Sequence, residues 1–141
     1  MTNILLDTDI ILDFFFDRKP YSEHSANVLS LCESNEIKGF ITPVILSNLY
    51  YLLRQSSTHE KVIDKLSQLI LITELLLIDR NSIILALNSN FNDFEDALQN
   101  FSAECNGNIS LILTRNLKDF KNSSLGVMTP ENYLKTRNAS C

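Results

Sequence analysis

Apolar residues along this chain fall into short unbroken runs, separated by longer stretches in which they recur every three or four positions. The runs Asn3 to Leu6, Gly39 to Ile41, Glu74 to Ile78 and Ile109 to Leu113 have strand length, and Gly126 to Met128 reads as a short edge strand. Helical spacing predicts a helix from Asp9 that packs Ile10, Leu12, Phe14 and Phe15. It predicts a second one starting at Pro20, with Ala26, Val28, Leu29, Leu31 and Cys32 as its stripe. Thr42-Pro43 is a helix start, an N-cap hydroxyl followed by proline at the first helical position, and Thr129-Pro130 repeats it before a C-terminal helix through Tyr133 and Leu134. The helix from Pro43 to Arg54 is apolar on almost every side, which predicts a place in the centre of the domain or at an interface. Further helices are expected over Thr58 to Ile70, Asn81 to Asn90 and Asp93 to Cys105. Strands alternating with helices predict an α/β fold, a three-layer sandwich around a mainly parallel sheet of four to five strands.

At 141 residues the chain is expected to form a single domain over 1–141. With 45% hydrophobic residues, 21% charged residues and only three glycines and three prolines, it reads as an ordinary globular sequence rich in helix. Cys32, Cys105 and Cys141 are odd in number and lack CxxC spacing, which argues against a disulfide framework or thiolate zinc site and for a reducing compartment. His24 and His59 each stand alone and read as solvated surface residues. The first apolar run is cut by Asp7, Asp9 and Asp13, unlike a signal peptide, and the segment from Leu69 to Ile78 is too short to cross a bilayer. A cytoplasmic protein without a membrane partner is expected.

Charge changes the picture. Residues 1–104 carry seven Lys/Arg against fifteen Asp/Glu, whereas residues 105–141 carry five against two. Such a basic segment is often only a solvated surface, but beside an acidic centre it suits a phosphodiester substrate. The acids themselves recur where strands end or helices begin. Asp7 closes the first strand, Asp93 and Asp96 open a helix one turn apart, and Asp119 follows the fourth strand. In parallel α/β sheets, ligands gather at the carboxyl ends of strands. Carboxylates drawn together there repel unless a cation neutralises them, and Mg²⁺, an oxygen-seeking ion, suits phosphodiester hydrolysis. Each acid also has an ordinary reading: Asp93 as an N-cap, Asp9 and Asp13 as caps or solvated positions of the first helix, Asp119 as a turn residue.

Taken in order, Leu5-Leu6-Asp7-Thr8-Asp9, the Thr42 to Tyr51 helix, Asp93-Phe94-Glu95-Asp96-Ala97-Leu98 and Thr114-Arg115-Asn116-Leu117-Lys118-Asp119-Phe120 resemble the PIN domain, and within it the VapC-like bacterial proteins. The resemblance spans nearly the whole chain. It implies a metal-dependent ribonuclease, often the toxin of a toxin–antitoxin pair, in which acids hold Mg²⁺ or Mn²⁺ and a metal-activated water hydrolyses RNA. Asp7 matches the first family acid and Asp96 the third, with Asp93 its companion one turn earlier. The fourth falls in the segment where Asn116 occupies a position that is often Asp and Asp119 follows. The catalytic and metal-holding expectation is therefore Asp7, Asp96 and Asp119, supported by Thr8, Asn48, Asp93, Thr114 and Asn116. Arg115, Lys118 and Lys121 are the expected RNA contacts.

One departure stands out. The family's second acid aligns with Asn48, and no Asp or Glu occurs between Glu36 and Glu60 to replace it. An amide can ligate a hard cation but adds no charge. That leaves an alternative: a degenerate PIN domain that binds RNA or protein and cleaves weakly or not at all. A minor third reading takes Asp7-Thr8-Asp9 as the nucleophile loop of a haloacid-dehalogenase-like phosphatase, but the late acidic metal loop of that family is missing. The apolar helices from Pro43 to Ile70 are expected to be core, a homodimer interface or an antitoxin groove.

Overall fold

The computed structural model describes residues 2–139; Cys141 lies outside the described residues. The chain runs β1 (Thr2–Leu6), α1 (Thr8–Phe15), α2 (Ser22–Glu33), β2 (Ile37–Ile41), α3 (Pro43–Arg54), α4 (His59–Ile72), β3 (Glu74–Leu75), α5 (Arg80–Leu87), α6 (Phe94–Asn106), β4 (Leu111–Leu113), a 3-10 helix (Leu117–Phe120), β5 (Gly126–Met128) and α7 (Pro130–Ala139). The five strands form one sheet in the order β3-β2-β1-β4-β5, and every neighbouring pair is parallel. This is an α/β fold in which the sheet is wholly rather than mainly parallel.

Parallel strands need crossover connections, and these are right-handed. The crossovers from β1 to β2 and from β2 to β3 therefore lie on one face, and that from β3 to β4 on the other. The helix contacts agree: α1 packs on α2 and α3, α3 on α4 and α2 on α7, whereas α5 pairs with α6. The central strand β1 is buried on both faces through Ile4, Leu5 and Leu6, as continuous apolar runs in parallel sheets are. On β2, a Cβ at Gly39 would stand 2.6 Å from Cys32 Sγ and 2.8 Å from Leu6 Cδ1, so only glycine lets α2 come this close to the sheet. Cys32 is buried there, with its thiol pushed up to about 11 by burial, which fits packing and not reactivity.

Local signals explain most element ends. Thr42 caps α3 by accepting from Ile45 N at 3.1 Å, Thr58 caps α4, Asp79 caps α5, and Gly107 ends α6 with φ 77°. Three expectations need correction. The second helix begins at Ser22 and not Pro20, because Arg18 O accepts from Tyr21 N and Ser22 N and holds the intervening residues as a turn. The third strand stops at Leu75: beyond Leu76, which still bonds to Ile41 O, the chain leaves the sheet and Leu77 is exposed. The histidines are less solitary than expected, His24 lying 3.4 Å from Glu131 and His59 bonding to the Tyr50 hydroxyl at 2.8 Å.

Candidate functional site

Strand order reverses beside β1: the chain passes from β1 to β2 on one side and returns through β4 on the other. The crevice beyond the carboxyl ends of β1 and β4 is thus a topological switch point, the usual ligand position in such sheets. Asp7 and Thr114 are the first residues past those two strands. Asp7 N donates to Leu113 O at 3.0 Å and Thr114 N to Met128 O at 3.0 Å, so the ladder geometry extends into the site and fixes both residues.

Asp7 is the N-cap of α1, with extended backbone and a side chain that accepts from Thr8 N at 2.8 Å. Its other oxygen accepts from the Thr114 hydroxyl at 2.8 Å. Thr114 Oγ1 also receives Asn116 N at 2.9 Å, which shapes the turn after β4. Asp93 plays the same capping part on α6, accepting from Asp96 N at 2.9 Å, and so directs Asp96 inward. Thr8 donates to Glu95 at 3.3 Å and ties the two helix starts together. The ordinary capping readings of Asp7 and Asp93 and their place in a site are therefore the same geometry.

These segments rim one open cleft of about 500 Å³. Asp7, Asp96 and Asp119 all line it, together with Thr8, Asn48, Asp93 and Asn116, so seven of the eleven sequence-designated residues meet there. Thr114 sits beneath, fully buried. Asp9, Glu95, Arg18, Tyr51 and Leu52 line the cleft as well and were not designated. Tyr51 and Leu52 lie three and four residues after Asn48 on α3 and share its face, a spacing that was present in the sequence.

Three of these carboxyls are raised above their ordinary value, two of them well above the carboxylate range. Burial first, then the neighbouring charges of Asp9 and Asp96, bring Asp7 to about 8 against the lowering effect of its hydrogen bonds. Burial, followed by the charges of Asp93, Asp119 and Glu95, brings Asp96 to about 7. Asp9 is raised by burial, partly offset by Arg115; its Oδ2 accepts from Arg115 N at 3.0 Å, while its Oδ1 is buried without a partner.

The basic candidates behave differently. Arg115 lies outside the cleft and grips the fully buried Asp13 in a two-pronged pair at 2.6 and 3.0 Å, its guanidinium 4.0 Å above the Tyr21 ring. That pair joins the turn after β4 to α1, which the sequence reading of Asp13 as a cap or solvated residue missed. Lys118 and Lys121 are exposed on and just after the 3-10 helix and do not line the cleft.

Among the described residues, no three His, Cys, Asp or Glu side chains close into a ready-made ion cage. The donor set still fits a hard divalent cation. It is all oxygen, it contains a buried unpartnered carboxylate oxygen on Asp9, and such ions commonly take one or two carboxylates and keep their waters. Asp7, Asp96 and Asp119 are the residues that would hold it.

The sequence profile of the PIN domain family matches residues 3–118, and the chain belongs to this family. No curated protein sequence matches it. Among solved structures, it is similar to a chain of the FitAcB structure from Neisseria gonorrhoeae, with 16% identity, TM-score 0.71, and coverage of 91% of this chain and 98% of the other. A chain of VapBC2 from Rickettsia felis bound to a promoter DNA fragment gives 18%, 0.66, 90% and 97%. The Sarcin-Ricin loop cleaving toxin VapC20 from Mycobacterium tuberculosis gives 13%, 0.65, 86% and 95%. At these identities the likeness is one of fold.

Proposed function

We propose that this PIN domain is a divalent-metal-dependent ribonuclease acting as the toxin of a toxin–antitoxin pair. The observation that carries the reading is the convergence of Asp7, Asp96 and Asp119, from three distant segments, on one cleft at the switch point of the sheet. Mg²⁺ or Mn²⁺ bound there supplies charge neutralisation of the phosphodiester and a more acidic water. The residues do the remainder. Thr8 N and Thr114 Oγ1 fix both oxygens of Asp7, so that it presents charge in one orientation. Asp93 orients the start of α6 and thereby Asp96. Asn48 offers an amide in place of a carboxylate, and Lys118 and Lys121, exposed on and just after the 3-10 helix, are the basic side chains this reading assigns to phosphates outside the cleft.

Two surface features bear on a toxin with a protein partner. One similar solved structure is a toxin–antitoxin complex from Klebsiella pneumoniae, and here a groove of about 290 Å³ between α1, α2 and α4, lined by Phe14, Phe15, Leu29, Leu69 and Ile72, suits an apolar antitoxin segment. A homodimer would use α5, which exposes Ile83, Ile84, Leu85 and Leu87, more than the Pro43 to Ile70 region first expected. Among the described residues no helix is long and apolar enough to cross a membrane.

Cleavage of labelled single-stranded RNA with Mn²⁺, compared with EDTA, tests the activity. The reading expects metal-dependent cleavage that falls at least about 100-fold in Asp7→Asn. Asn48 favours the second reading, a domain that binds without cutting; RNA binding with no cleavage in any divalent metal would select it.

A further inference from the structure

The cleft has a rim that the acids do not explain. Six carboxylates line it, and among the described lining residues Arg18 is the one cation. A phosphodiester approaching such a cleft is repelled except where a cation stands, and a guanidinium is well matched to phosphate oxygens. Arg18 keeps oxygen-binding capacity to spare: its Nη1 lies 3.5 Å from Asp13 Oδ1, at the limit of a hydrogen bond, and its guanidinium sits 5.1 Å from the Phe16 ring centroid, while Arg115 holds both oxygens of Asp13 more closely. Its side chain remains 43% exposed.

On α3, Tyr51 lines the same cleft and is 68% exposed, so its ring adds little to the core. The ring is nevertheless braced. Tyr50 meets it edge-to-face at 5.3 Å and 84°, and the Tyr50 hydroxyl is fixed by His59 Nδ1 at 2.8 Å. A braced aromatic on the wall of an acidic cleft is what a splayed-out base needs as a stacking partner, and base stacking tolerates any sequence.

We propose that Tyr51 and Arg18 hold the substrate at the mouth of the cleft, an unpaired RNA base stacking on Tyr51 while an adjacent phosphate is taken by Arg18. This rests on the nuclease reading and deepens it by naming the two side chains that receive a base and its phosphate; a base paired in a duplex cannot offer its face to Tyr51.

The test is fluorescence anisotropy of the full chain with a short fluorescein-labelled single-stranded RNA of mixed sequence and with its duplex, in Ca²⁺ and over a salt series. KM and kcat in Mn²⁺ are measured alongside. Tyr51→Ala is expected to weaken single-strand binding about tenfold and Tyr51→Phe to preserve it. Arg18→Gln is expected to weaken binding and reduce the salt slope by about one phosphate contact. Both losses should appear mainly in KM. Both positions are exposed enough for thermal unfolding to stay at the wild-type midpoint. Wild-type affinity in Tyr51→Ala and Arg18→Gln, equal loss in Tyr51→Phe and Tyr51→Ala, or duplex binding as tight as single-strand binding would each overturn the proposal. Wild-type protein that neither binds nor cleaves any of these RNAs would instead overturn the nuclease reading beneath it.

Discussion

Two acidic regions lie a few residues apart and solve burial in opposite ways. At one, Asp13 is fully buried and receives a two-pronged guanidinium from Arg115, with Arg18 nearby. At the other, Asp7 and Asp96 are buried beside further acids, receive no cation among the described residues, and are pushed up to about 8 and about 7. A buried charge is ordinarily paired or neutralised. The first region meets that demand within the chain, as a structural strut. The second meets it only by holding protons, the pattern expected where a ligand completes the balance. The contrast teaches that acid content alone does not mark the site; buried acids without a cation do.

The sharpest way to break the contrast is to remove the strut. Asp13→Ala should destabilise the fold by about 3 kcal/mol, the low end for breaking a buried pair because Arg115 and Arg18 can both reach water. Urea unfolding checks this, and a loss within about 0.5 kcal/mol would make the two regions equivalent.

Next comes pH. Asp7 and Asp96 hold protons in the folded chain that the unfolded chain, with ordinary carboxyls near 3.8, has already lost. Metal-free stability should therefore fall as pH rises from about 4 to 8 and level off above. Unfolding midpoints in EDTA across that range measure it. Stability that rises with pH would contradict the raised values.

A smaller effect sharpens the comparison from the other side. Asn48→Glu adds the missing charge to the cleft, so it should tighten Mn²⁺ binding about tenfold while lowering metal-free stability. Calorimetry with and without Mn²⁺ reads both, and unchanged affinity would place Asn48 outside the metal's reach.

Much of the fold and the acids of the cleft were readable in the sequence. The Thr-Pro start gave α3 its observed bounds, Pro43–Arg54, and β5 was read at Gly126–Met128. Asp7, Asp96 and Asp119 were visible because strand ends and helix starts carry local signals. The pairing of Asp13 with Arg115 was not visible, since the partners are 102 residues apart and no local pattern joins them. For the same reason Arg115 read as an RNA contact although its guanidinium faces Asp13. Asp9 read as a cap or solvated position because helix spacing says nothing of the chain that later covers it; Thr114 and Arg115 do so from beyond β4. Apolar content misled at Glu74 to Ile78, where exposed Leu77 looks like strand core.

The central claim is that the unpaired acids await a divalent cation. Titration of the metal-free chain with Mn²⁺, followed by calorimetry at pH 7.5 and again with Asp7→Asn, addresses it directly. The account predicts a specific site in the wild-type protein, proton release on binding, and loss of that site in the variant. No saturable binding, or binding unaltered by Asp7→Asn, would contradict it.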